Sequence, residues 1–97
     1  MNTVNKQKLF SEIVDFLKKH DATKIAVFGS YVRDEEMPKS DIDIIVEFKE
    51  TMSLLDFVAL ERQLSEHIGF RVDLLTEKSI SPLLIEHIRK QMRVLYQ

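Results

Sequence analysis

The chain has 97 residues, 44% hydrophobic and 31% charged, with Lys+Arg 14 against Asp+Glu 16, a formal net charge of −2 and no cysteine. That length suits a single domain over residues 1–97, and the balance describes a folded globular protein rather than a disordered one. It excludes a disulfide scaffold and a thiolate zinc site, argues against a protein built to coat phosphate backbones, and offers no apolar run of the ~18 residues a membrane span needs. The first residues lack the apolar stretch of a secretory signal, so the expected location is the cytoplasm.

Between Thr3 and His20, Leu9, Phe10, Ile13, Phe16 and Leu17 recur at helical spacing, opposite Lys6, Lys8, Glu12, Asp15 and Lys18. An amphipathic helix is expected there. Ile25-Ala26-Val27-Phe28 is a short apolar run stopped by Gly29-Ser30, which reads as a buried strand. Residues 30–36 can form a short helix, broken before Pro38. From Asp41 to Phe48, Ile42, Ile44, Val46 and Phe48 alternate with Asp41, Asp43, Ile45 and Glu47, the period of a strand.

Ser53-Leu54-Leu55-Asp56 has the form of a capping box. The helix it opens carries Leu54, Phe57, Leu60, Leu64 and Ile68 on one stripe and stops at Gly69. Val72 to Thr76 predicts a third strand. Ser81-Pro82 opens a last helix, with Leu84, Ile88 and Met92 as its expected buried stripe. Val94-Leu95-Tyr96 is a candidate edge strand. The order is αβ(α)βαβα, an α/β layer structure with a mixed sheet flanked by helices.

The chemistry-bearing residues gather around two of these strands. Asp41 and Asp43 lie two residues apart on one strand, so both carboxylates leave the same face. Asp73 lies inside the third strand, and joins them if the two strands are neighbours. Carboxylates this close repel one another, and a hard divalent cation removes the conflict. Oxygen donors without cysteine point to Mg²⁺, or Mn²⁺ in its place. The acidity is also local, since residues 34–50 hold seven acids against two lysines. Gly29-Ser30, between a strand and a helix, offers backbone N–H groups and a hydroxyl to an anion. Arg33, one helical turn further, is placed for a terminal phosphate. Neither a P-loop nor a dinucleotide-binding glycine pattern occurs. Arg62 and His67 have the spacing of a HEPN ribonuclease motif, but Gly69 stands where that motif continues to a tyrosine.

Taken together, Gly29-Ser30, ten residues and then Asp41-Ile42-Asp43 form the pattern GS-x10-D-x-D. Average residue usage gives such a match by chance in about one chain in a thousand of this length. On these residues the chain resembles the minimal nucleotidyltransferases (MNT or MntA type) of the polymerase β-like superfamily. The resemblance runs from Ile25 to Asp73 in motif and over nearly the whole chain in element order. It implies that Gly29 and Ser30 hold a nucleotide triphosphate, with Arg33 retained from the family's G-S-x-A-R-G. It also implies that Asp41 and Asp43 bind two metal ions, and that Asp73 completes the catalytic triad of acids. Val32 and Asp34 depart from that pattern, and Asp34 adds negative charge near the expected triphosphate. The resemblance further implies an antitoxin that transfers AMP from ATP to a tyrosine of a HEPN-domain (HepT-type) toxin, using Mg²⁺. The alternative is a non-catalytic module that neutralises the toxin by contact.

Overall fold

The computed structural model describes residues 6–29 and 41–97. Four strands form one mixed sheet in the order β3-β2-β1-β4. The elements follow the expected sequence: α1 (Lys6–Lys18), β1 (Ala22–Phe28), β2 (Ile42–Phe48), α2 (Leu54–Ile68), β3 (Val72–Leu75), α3 (Pro82–Gln91) and β4 (Arg93–Tyr96). A short 3-10 turn, Glu77–Ser79, joins β3 to α3. β1 runs antiparallel to both β2 and β4, and β2 runs parallel to β3. The parallel pair is joined by α2, as a crossover requires. The short helix expected at 30–36 falls outside the described residues.

The sheet is covered on both faces. On one, Ile25, Val27, Ile42, Ile44, Val46, Val72 and Leu74 pack with Leu9, Ile13 and Leu17 of α1 and Leu60, Leu64 and Ile68 of α2. On the other, Ile45 packs with Ile85 and Ile88 of α3, and Phe28, Ile80 and Met92 surround them. This explains why β2 carries Ile44, Ile45 and Val46 in succession, all fully buried: a strand covered on both faces loses the simple alternation.

Local chemistry sets the boundaries of α2. The Ser53 hydroxyl accepts the Asp56 N–H at 3.2 Å. At the other end Gly69, with φ +79°, sends its N–H to the Ser65 carbonyl. These are the expected start and stop. Three expectations change. β1 begins at Ala22, three residues before the apolar run, because Ala22 pairs with Phe48 across the sheet. Leu54, placed on the buried stripe of α2, is 76% exposed; it sits in the first turn, outside the stretch of helix that reaches the sheet. In α3 the buried residues are Ile85 and Ile88, while Leu84 is 52% exposed. Leu83, Leu84 and Ile85 are consecutive apolar residues, and the position of Ile45 beneath the helix selects Ile85. No described helix is long and apolar enough to cross a membrane.

Candidate active site

Because β1 and β2 are antiparallel, the end of β1 lies beside the start of β2. Phe28 is the register partner of Asp43, so Gly29, the next residue, arrives next to the first acids of β2. Across the other edge of β2, Asp43 is in register with Asp73 of β3. Register partners in a pleated sheet send their side chains to the same face. Asp41, expected on the strand, is the residue just before β2 and lies at the same end. Gly29, Asp41, Asp43 and Asp73 thus gather at one end of the sheet.

Two sets of bonds hold β3 in place at this edge. The Ile42 N–H donates to the Arg71 carbonyl at 2.9 Å, starting the parallel pairing. On the outer edge of β3, the Val72 N–H donates to Ser65 Oγ at 3.0 Å and the Leu74 N–H to Glu61 Oε2 at 2.8 Å. Side chains of α2 therefore satisfy the edge N–H groups on either side of Asp73. Sequence reading missed Glu61 and Ser65. Their i, i+4 spacing places them on one helix face, but their targets are visible only once the strand is docked.

Asp43 is partly buried; Asp73 is exposed. Arg71 Nε lies 3.6 Å from Asp41 Oδ1, with the arginine side chain 86% exposed. Such a pair in water is worth little and is readily exchanged for another partner. Although Arg71 is only two residues from Asp73 in the chain, it is Asp41 that it approaches. As they stand, no three acidic or histidine side chains among the described residues are drawn together closely enough to hold a metal ion. The donor set itself fits a hard cation: carboxylate oxygens on adjacent strands, on one face, with no sulfur ligand available. Ser30 and Arg33, the other expected nucleotide contacts, lie outside the described residues, as do Val32 and Asp34.

A separate groove of about 590 Å³ opens at the opposite end of the sheet, between the ends of β2 and β3 and the start of α2. Phe48, Met52, Phe57 and Leu75 contribute to its lining, and none of the three aspartates does. Near the groove end, Glu77 forms a hub. It accepts hydrogen bonds from Arg89 Nη2 at 2.6 Å and Nε at 3.1 Å, and from Lys24 Nζ at 3.2 Å. Its backbone N–H donates to Glu47 Oε1 at 3.0 Å. The Arg89 hydrogen bonds, assisted by Lys24, hold the Glu77 carboxyl below its ordinary value against the opposing effect of burial. Glu47, counted among the local acids in the sequence, belongs to this hub rather than to the aspartate end.

Residues 11–97 match the polymerase beta nucleotidyltransferase family. The protein MJ0435 of Methanocaldococcus jannaschii, assigned by name to the protein adenylyltransferases, is 46% identical over 85 residues, 88% of this chain and 91% of that one. Protein adenylyltransferase MntA of Thermococcus cleftensis is 42% identical over 69 residues, covering 71% of this chain and 70% of the relative. Among solved structures, a toxin–antitoxin with AMP-PNP aligns with a TM-score of 0.81 at 27% identity, over 90% of this chain and 72% of that one. A Shewanella oneidensis complex of a tri-AMPylated HEPN toxin with its MNT antitoxin aligns at 0.75 and 26% identity, over 93% and 71% of the two chains.

Proposed function

Since the chain belongs to the polymerase beta nucleotidyltransferase family, we propose that it is an antitoxin that adenylylates a HEPN-domain toxin. In this reading the 97 residues work in the cytoplasm as one minimal nucleotidyltransferase domain, taking AMP from ATP and placing it on a tyrosine hydroxyl of the toxin. The observation that carries the reading is the pairing of Asp43 with Asp73 on one rung of the sheet, with Gly29 at the adjoining strand end. The similarity to an antitoxin solved with AMP-PNP and to one bound to an AMPylated HEPN toxin supports the substrate and the partner.

The steps of the transfer divide among the residues of this end of the sheet and those that follow Gly29 in the chain. Gly29 and Ser30 bind the triphosphate through backbone N–H groups and the serine hydroxyl, and Arg33 takes its terminal phosphate. The acceptor hydroxyl oxygen attacks the α-phosphorus, the bond to the bridging oxygen breaks, and pyrophosphate leaves. The Asp73 carboxylate takes the hydroxyl proton. Asp41, Asp43 and Asp73 would hold two Mg²⁺ ions, or Mn²⁺, and the chemistry such ions would supply is a lower pKa for the attacking hydroxyl and neutralisation of the pyrophosphate charge. Asp43, in register with strands on both sides, keeps the carboxylates aligned with the triphosphate.

The test is the intact mass of a HEPN partner co-expressed with this chain. A gain of one or more AMP groups, lost on mutation of the aspartates, supports the reading. A partner that stays at its unmodified mass while remaining bound refutes it.

A further inference from the structure

Gly29 and Gly69 have the same φ of +79°, in the left-handed region where a β-carbon is strained. Their surroundings differ. A β-carbon on Gly69 meets nothing within 4 Å. One on Gly29 falls onto the Asp43 carboxylate: it collides with Oδ2 and comes within 3.3 Å of Cγ and 3.6 Å of Cβ. The cause is the register, in which Phe28 pairs with Asp43 and the chain leaves β1 directly over the aspartate side chain.

We infer that Gly29 is a positioning residue for Asp43: its missing β-carbon is the space the Asp43 carboxylate occupies while it stays on the rung shared with Asp73. This differs from allowing the backbone to approach a phosphate, and it acts before any nucleotide binds. A side chain at position 29 forces the Asp43 carboxylate into another rotamer, away from that space, and separates the two acids. The inference rests on the proposed function only where it assigns the displaced carboxylate a metal. The contact itself does not depend on that assignment.

A melting-temperature cycle isolates the contact. Gly69→Ala measures the cost of the backbone conformation alone, and Gly29→Ala adds the collision, so Gly29→Ala is expected to melt lower. In an Asp43→Ala background the extra loss disappears, and the Gly29→Ala drop shrinks by about 5 °C or more. If Gly29→Ala does not fold, folding of the Gly29→Ala/Asp43→Ala chain is the same rescue. A drop of equal size in both backgrounds overturns the inference. A second readout uses Mn²⁺ alone, followed by paramagnetic broadening of the amide signals of residues 41–44. Gly29→Ala is expected to need about tenfold more Mn²⁺ for the same broadening, while Gly69→Ala matches the parent. Unchanged broadening in Gly29→Ala overturns the positioning role. A parent chain that shows no broadening refutes the metal assignment of the proposed function, and the inference is then decided by the melting cycle.

Discussion

Asp43 and Asp73 stand on the same rung of the parallel β2–β3 pair, on strands whose axes are separated by about 4.8 Å. Thirty residues apart in the chain, they become neighbours through α2, whose Glu61 and Ser65 bind the outer edge of β3. Like charges placed directly opposite destabilise a strand pair. A cation shared by the two carboxylates would offset that repulsion.

Removing one charge is expected to relieve that repulsion. In EDTA, Asp73→Asn should be more stable than the parent by about 0.2–1 kcal/mol, and with Mg²⁺ and ATP supplied its AMP transfer should be lost while the parent's proceeds. Denaturant melts and the mass of the partner check the two halves. An Asp73→Asn chain that is both less stable and fully active contradicts the placement of the two acids.

Asp43→Asn keeps the shape of the side chain and removes its charge. Transfer of AMP to the partner is expected to fall about 100-fold or more, with the complex still forming. Rate measurements on the purified complex check this. If the variant silences the toxin as well as the parent does, neutralisation occurs by contact and the carboxylate has no catalytic part.

Glu77 makes stability depend on pH in a direction that can be worked out. Hydrogen bonds from Arg89, helped by Lys24, lower its pKa from 4.5, so the unfolded chain binds the proton more readily than the folded one. Its contribution is therefore fully present above the unfolded value and is lost as the pH falls through the folded pKa. Glu77→Gln should cost about 1 kcal/mol near neutrality, a modest figure because the Arg89 side chain is 49% exposed. The difference between parent and variant should close below pH 4.5. Melts from pH 7 to 3 would show it, and a gap that widens in acid would contradict it.

Gly69 supplies the stop of α2 through its conformation alone. Gly69→Ala is expected to cost about 1–2 kcal/mol from the left-handed φ, and Gly69→Asn less, since asparagine visits that region more readily. Urea titrations of the two variants would rank them.

Much of this molecule is local, and so was legible in the chain. The period of two marks Asp41 and Asp43 as same-face candidates before any sheet forms. The cap at Ser53, the stop at Gly69 and the apolar spacing of α1 are each settled by residues within a few positions of one another. The GS-x10-D-x-D pattern named the family for the same reason: its parts lie close together in sequence. What only the tertiary structure decided is every relation between segments. The antiparallel turn-back of β2 puts Asp43 under Gly29, the parallel docking of β3 puts Asp73 across from it, and Arg71 goes to Asp41. In α3, three consecutive apolar residues satisfied the helical pattern almost equally, and Ile45 selected Ile85. These choices depend on which distant surfaces bury one another. Hydrophobic burial is non-directional, so its outcome is fixed by the packed whole and not by any one segment.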